Sequence, residues 1–212
     1  MQGKSGNARK LPLGSRRTWA VALRSVAIRP MKAKPIRLDE LRMMVQSCPA
    51  TKRGLRDRCV LVLGFGASLT RAQMSALCVE HVSFGSAGIT LRIGVSEVFV
   101  PRSGEPMLCP VRCTEDWLAV SGIVRGRLFR AVSATGRVRT PKKIDAGKLI
   151  TRIVKSAARR CGLDPRDYSA HSLRCGIAAS LPRSELGAVQ RHGRWKTKRA
   201  VARYMTGEGR TG

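Results

Sequence analysis

Acidic residues are scarce in this sequence. Its 212 residues include 13 Asp and Glu against 41 Lys and Arg, which gives a formal net charge of +28 and an isoelectric point near 11.5. An excess of this size excludes an enzyme built for a neutral ligand and favours a polyanionic partner, most simply a nucleic acid. An anionic membrane surface would also attract such a chain.

Long apolar runs and aromatic residues are scarce as well. No run approaches the ~18 residues that a membrane-spanning helix needs, and the amino end lacks the apolar core of a signal peptide. Aromatic residues make up 4% of the chain, which argues against single-strand binding by base stacking. We therefore expect a cytoplasmic, nucleoid-associated protein.

The seven cysteines are odd in number and scattered along the chain. Without a signal peptide, they are expected to be reduced and mostly buried. Cys109 and Cys113 have no second pair at metal-ligand spacing, so we expect no metal site.

The carboxyl-terminal part of the chain carries a phosphate-binding pattern. His171 and Arg174 are three residues apart, which places them on one helix face, and Tyr204 follows Trp195 by nine residues, a helical spacing. Arginine binds a phosphate through two donors at once, and tyrosine can act as a covalent nucleophile. Together they indicate phosphoryl transfer through a phosphotyrosine.

This order of residues resembles the end of the catalytic domain of the tyrosine recombinase (phage integrase) family. His171, Arg174, Trp195 and Tyr204 match the family's His, Arg, His-or-Trp and nucleophilic Tyr. The resemblance implies site-specific recombination of duplex DNA through a 3′-phosphotyrosine, with Arg174 on the phosphate, His171 assisting proton transfer and Trp195 donating its indole N–H. It also implies self-association into a tetrameric synapse and no nucleotide, metal or other cofactor.

The sequence departs from the family pattern at the first catalytic arginine. Aligned without a gap, that arginine falls on Thr70, and Arg71 stands one place later, about 100° of helix rotation away. Gln73 also replaces the family's usual Glu. Arg71 is therefore a candidate catalytic residue and equally a candidate surface cation.

A second departure concerns the lysine that the family presents on a β-hairpin as general acid. No lysine occurs from Gly54 through Pro141. Arg92 or Arg102 could supply charge there, but arginine is a poor proton donor because its pKa exceeds ~12. Three hypotheses stay open: a working recombinase, a catalytically impaired relative that binds DNA without recombining it, and a basic RNA-binding protein.

Hydrophobic periodicity predicts an α+β fold that is mostly α-helical, with a small antiparallel β-sheet at residues 81–112. Helices are predicted at 37–47, 54–80, 112–125 (capped by Thr114) and 144–161. Within 54–80, Gly64 and Gly66 permit a bend or close packing. The resemblance implies a core-binding domain ahead of the catalytic domain. We therefore assign residues 1–35 to a basic arm or the remnant of that core-binding domain, 36–206 to the catalytic domain and 207–212 to a disordered tail.

Basic residues around the motif are candidate contacts to DNA phosphates. A cationic helix face is usually only solvated, but in so basic a chain contact with the DNA backbone is favoured. The candidates are Arg152, Lys155, Arg159, Arg194, Lys196, Lys198 and Arg199.

Overall fold

The computed structural model describes residues 33–139 and 146–205. They form a mostly helical fold with one three-stranded antiparallel sheet, so the predicted fold class is confirmed. The predicted tail at 207–212, and all but the last three residues of the predicted arm at 1–35, lie outside the described residues. Within the described ranges, no helix is long and apolar enough to span a membrane.

The helices are α1 (Leu38–Gln46), α2 (Lys52–Gly66), α3 (Arg71–Ala76), α4 (Pro110–Ser121), α5 (Ala146–Arg160), α6 (Ala170–Ala179), α7 (Leu186–His192) and α8 (Lys198–Ala202).

Helix α2 is the centre of the core. Thr51 caps it by accepting a hydrogen bond from the N–H of Gly54, and residues 59–65 are all buried. Helices α4 and α6 make its most extensive contacts, and α1 packs against it as well. The second half of α2 is apolar on all sides, and such a segment is stable only when surrounded in this way.

The single helix predicted over 54–80 is wrong, because the chain bends between α2 and α3. The bend follows directly after Gly64 and Gly66, the glycines expected to permit a bend or close packing. Ser68 has a φ of 49°, which lies outside the right-handed helical region. Thr70 then starts α3: its hydroxyl accepts from the N–H of Gln73, and the Gln73 side chain accepts from the N–H of Thr70. This capping box begins a new helix, so α2 cannot run on into α3.

The sheet comprises β1 (Val82–Phe84), β2 (Gly88–Ile93) and β3 (Ser96–Pro101), in the order β1-β2-β3. Its register pairs Val82 with Leu91 and Thr90 with Phe99. The turn between β2 and β3 is short because Gly94 adopts a φ of 64°, which glycine does at no steric cost. The sheet predicted within 81–112 is therefore present, although the chain turns helical again from Pro106.

Helix α4 begins four residues before the predicted cap, Thr114. Pro110 is its first residue, a position that suits proline because the first N–H of a helix has no intrahelical partner. Thr114 is buried inside the helix, where its hydroxyl donates to the carbonyl of Pro110 at 2.7 Å. The role assigned to Thr114 was therefore wrong. The fully buried Trp117 ties α4 to the following segment by donating to the carbonyl of Leu128 at 2.9 Å.

A second, smaller apolar cluster forms where α7 and α8 meet the end of α6. It consists of Ala178, Val189, Val201 and Met205, with Trp195 and Tyr204 packed against it. This packing fixes where the carboxyl-terminal helices present their polar side chains.

A substitution at Gly176 tests how closely α6 packs against the core. A Cβ there would lie 2.4 Å from Cε2 of Phe65 and 2.5 Å from the carbonyl oxygen of Ile36. Although alanine has the higher helix propensity, we expect Gly176→Ala to lower the free energy of unfolding by about 1–3 kcal/mol through overpacking. Urea denaturation measures this change.

Gly104→Ala is the matched control, because nothing lies within 4 Å of a Cβ at that position. It should change stability by less than ~0.5 kcal/mol. Equal stability of the two variants would contradict the close approach of α6 to Phe65.

Candidate active site

Three consecutive backbone carbonyls at the bend after α2 hold side chains from the carboxyl-terminal part of the chain. The pairs are Gly66 O with His192 Nε2 at 2.6 Å, Ala67 O with Arg194 Nη2 at 2.9 Å, and Ser68 O with Arg174 Nη1 at 2.5 Å. Carbonyls at a helix end lack intrahelical partners and carry partial negative charge. The bend therefore serves as an acceptor for these imidazole and guanidinium groups.

Arg174 is the most buried cation of the site, with 8% of its surface exposed. The Ser68 hydroxyl donates back to the carbonyl of Arg174 at 2.7 Å, so the two residues bind each other twice. The guanidinium carbon lies 4.3 Å from the ring centroid of Trp195, a cation–π contact. Because one Nη is bound to Ser68 and the ring supports the plane, the remaining N–H groups have a fixed orientation.

Tyr204 lies beside His171 and Cys175. Its hydroxyl is 3.1 Å from Nε2 of His171, and Sγ of Cys175 is also 3.1 Å from that nitrogen. Cys175 follows His171 by four residues on α6, so both point from the same helix face. We call His171, Arg174, Cys175, Trp195 and Tyr204 the Tyr204 cluster.

Trp195 closes the Tyr204 cluster. Its ring centroid lies 5.6 Å from that of Tyr204 and 6.3 Å from that of His171. The tight turn before it requires glycine, because a Cβ on Gly193 would lie 2.3 Å from the indole nitrogen. The indole N–H is buried and has no hydrogen-bond partner in the described residues, so it remains available to an oxygen acceptor.

Burial sets the protonation states of the Tyr204 cluster. Desolvation, with a smaller contribution from the charge of Arg174, lowers the pKa of His171 below 6.5, so the imidazole is neutral at pH 7 and can accept a proton. Desolvation and then Cys175 raise the pKa of Tyr204 to about 12, against an opposing effect of Arg203. Desolvation raises the pKa of Cys175 to about 12 as well. At neutral pH the phenol and the thiol are therefore both protonated beside one neutral imidazole nitrogen, whose single lone pair accepts from one of them at a time.

The structure does not bring Arg71 into the Tyr204 cluster. Its side chain is exposed and lies against Gly147 of α5, where a Cβ would be 3.2 Å from Cδ of Arg71. Among the residues that the structure describes, no hydrogen bond or ion pair connects Arg71 to the Tyr204 cluster. Thr70, where the ungapped alignment predicts the family's first arginine, is occupied as the cap of α3.

The hairpin arginines are bound elsewhere. Arg92 donates to the carbonyl of Glu80 at 3.4 Å, and Arg102 donates to the carbonyl of Ser86 at 2.8 Å. Neither contacts the Tyr204 cluster in the described structure.

The predicted DNA-contacting cations differ in how far their side chains are exposed. Most are exposed, and Lys155 is half-buried. Arg194 differs, because its guanidinium turns inward to the carbonyls of His192 at 2.7 Å and Ala67 at 2.9 Å. The exposed group is Arg152, Arg159, Lys196, Lys198 and Arg199.

Sequence reasoning missed Ser68, Cys175 and His192. The spacing of Cys175, one helical turn after His171, was visible in the sequence. Ser68 and His192 carried no such signal, because their roles depend on the bend after α2.

Solved structures share this fold. The crystal structure of XerA recombinase matches with a TM-score of 0.61 and 16% identity, covering 84% of this chain and 61% of that chain. A lambda integrase dimer bound to a COC′ core site matches with a TM-score of 0.58 and 13% identity, covering 87% and 63% of the two chains. The chain therefore has the fold of the tyrosine recombinase catalytic domain.

A curated sequence relative agrees with the structural matches. The integrase/recombinase XerD homolog of Selenomonas ruminantium is 27% identical over 183 residues, which are 81% of this chain and 53% of the relative. The chain thus spans about half the length of this relative. No protein-family model matches the chain. The resemblance to the tyrosine recombinase family that the motif predicted is confirmed.

The contact between Cys175 and His171 can be tested by histidine NMR, because the chain has only three histidines. A thiol that donates to Nε2 stabilises the neutral imidazole. We therefore expect Cys175→Ala to raise the pKa of His171 toward 6.5, whereas Cys175→Ser, which retains a donor, should not. The titration of the imidazole C–H resonances measures both.

A His171→Gln variant assigns the resonance, and His81 and His192 serve as internal references. An identical His171 titration in the wild-type and Cys175→Ala proteins would show that the thiol does not bind this imidazole.

Proposed function

We propose that this chain is the catalytic part of a site-specific DNA recombinase that breaks and rejoins strands through a 3′-phosphotyrosine at Tyr204. The observation that carries the proposal is the convergence of the Tyr204 hydroxyl, the neutral His171 and the buried Arg174 in one cluster. Phosphoryl transfer needs a nucleophile, a proton acceptor and a cation that binds the phosphate, and all three groups are present.

In the proposed reaction the phenol oxygen attacks the scissile phosphorus, and the bond to the 5′ oxygen breaks as that oxygen takes a proton from water and leaves as a 5′ hydroxyl. His171 takes the phenol proton, since Nε2 lies 3.1 Å from the hydroxyl. Arg174 and the indole N–H of Trp195 bind the non-bridging oxygens, where negative charge builds in the transition state. The 5′ hydroxyl of a partner strand then attacks the phosphotyrosine and gives its proton to water. The departing phenol oxygen takes back the proton held by His171, so the DNA is rejoined and the phenol is restored.

The partner is duplex DNA. The cations Arg152, Arg159, Lys196, Lys198 and Arg199 are exposed and suited to phosphate contacts. We further propose self-association on DNA, supported by the structural match to a lambda integrase tetramer bound to a Holliday junction (TM-score 0.56).

A second candidate function is DNA binding without recombination. The position of Arg71 against Gly147 favours it, because the first arginine of the family then has no direct counterpart. The absence of lysine from Gly54 through Pro141 leaves the departing 5′ oxygen without the family's proton donor.

Covalent trapping distinguishes the two candidates. Binding duplexes are first selected from a random library at ~150 mM salt, a concentration that weakens nonspecific binding. Each selected duplex is then nicked near the bound site, so that the end released by cleavage diffuses away. We expect a protein–DNA adduct from the wild-type chain and none from Tyr204→Phe. Arg174→Lys should slow adduct formation by about 10²–10³, because lysine lacks the planar guanidinium fork.

Tyr168→Phe is the matched control, since the chain has two tyrosines. The Tyr168 hydroxyl donates to Glu40 at 2.6 Å, away from the Tyr204 cluster, so this variant should still form the adduct. Selective duplex binding without any wild-type adduct would support the binding-only function instead.

A further inference from the structure

Arg194 has an unusual backbone conformation. Its φ is 54°, in the left-handed region that non-glycine residues rarely occupy. Such strain persists only where the surrounding structure imposes it, and it occurs often at functional sites. Arg194 stands between Gly193 and Trp195, next to the Tyr204 cluster.

The guanidinium of Arg194 lies beside that of Arg174. Both approach the carbonyl oxygen of Ser68, Arg174 at 2.5 Å and Arg194 at 3.4 Å. No acidic side chain forms an ion pair with either arginine within residues 33–139 and 146–205. Two adjacent cations repel each other, and an anion bound at both would remove that repulsion.

Two N–H donors at this position also lack acceptors. Nε of Arg194 and Nε1 of Trp195 are buried and have no hydrogen-bond partner in the described residues. A buried donor without an acceptor is costly, and such groups are rare in folded proteins. A phosphate oxygen would supply the acceptor.

The position of the family's first arginine offers no guanidinium in this chain. Thr70 is committed to the capping box of α3, and Arg71 lies against Gly147. Arg194 reaches the same bend by donating to the carbonyls of Ala67 and Ser68.

We propose that Arg194 supplies the second guanidinium for the scissile phosphate, in place of the arginine that Thr70 replaces. Arg194 and Arg174 hold the non-bridging oxygens from two sides while Tyr204 attacks. This inference rests on the proposed function, and it assigns Arg194 to the reacting phosphate rather than to the neighbouring DNA backbone.

The first test uses inorganic phosphate and no DNA. Arg194→Gly is the variant of choice, because glycine adopts a positive φ without strain and the local backbone turn is retained. The variant also loses the hydrogen bonds to His192 and Ala67, and the second test separates that loss from the phosphate contact. At constant ionic strength, ³¹P NMR should show phosphate affinity about tenfold lower than in the wild-type chain, as expected for a lost charge-assisted hydrogen bond. Arg191→Ala removes the same charge from an exposed position three residues earlier and should change the affinity less than about twofold.

The second test moves the guanidinium back to the family position. On the trapping substrate, Arg194→Gly should form the adduct about 10²–10³ slower than wild type at saturating DNA. Adding Thr70→Arg to Arg194→Gly should recover at least about tenfold of that loss. If Arg194 only anchored the turn, an arginine at the cap of α3 would not restore the adduct rate.

The outcomes separate this inference from the proposed function. The role of Arg194 would be overturned if Arg194→Gly binds phosphate as tightly as the wild-type chain and also meets one of two conditions. Either its adduct rate is unchanged, or the rate falls and Thr70→Arg does not restore it. A wild-type chain that forms no adduct but binds phosphate through Arg194 would contradict strand transfer while supporting the phosphate contact.

Discussion

The site depends on hydrogen bonds between the carbonyls of residues 66–68 and the side chains of Arg174, His192 and Arg194. Helix α2 lies in the middle of the core and ends at Gly66, so these acceptors are held by the best-packed part of the fold. The guanidinium and imidazole donors come from more than 100 residues later in the chain. The bend therefore joins the core to the carboxyl-terminal helices and fixes the positions of both arginines.

The electrostatics of the site follow from this arrangement. In the part of the chain that the structure describes, no carboxylate pairs with the two guanidinium groups. Burial keeps His171 neutral and the Tyr204 phenol protonated at pH 7. A site of this kind favours an anion and provides a base for the phenol proton. The strain at Arg194 and the unpaired indole N–H of Trp195 are costs of the free protein that a bound phosphate would offset.

The sequence was sufficient for part of this picture. The spacing of His171, Arg174, Trp195 and Tyr204 predicted residues that the fold brings together, because helical periodicity is local and survives folding. The bend at 67–70 was not predictable from periodicity, since Leu69, Met74 and Leu77 continue the apolar pattern across it. The inward turn of Arg194 was missed for a similar reason: a positive φ in a non-glycine residue has no sequence signature, so the residue was grouped with its exposed basic neighbours.

The central claim is that the Tyr204 cluster binds a DNA phosphodiester beside the hydroxyl of Tyr204. A crystal structure of the Tyr204→Phe variant with a selected duplex tests it most directly. The account predicts one backbone phosphate within hydrogen-bond distance of Arg174, with its phosphorus facing the ring of residue 204. A duplex held only by the exposed cations, with no phosphate at Arg174, would contradict it.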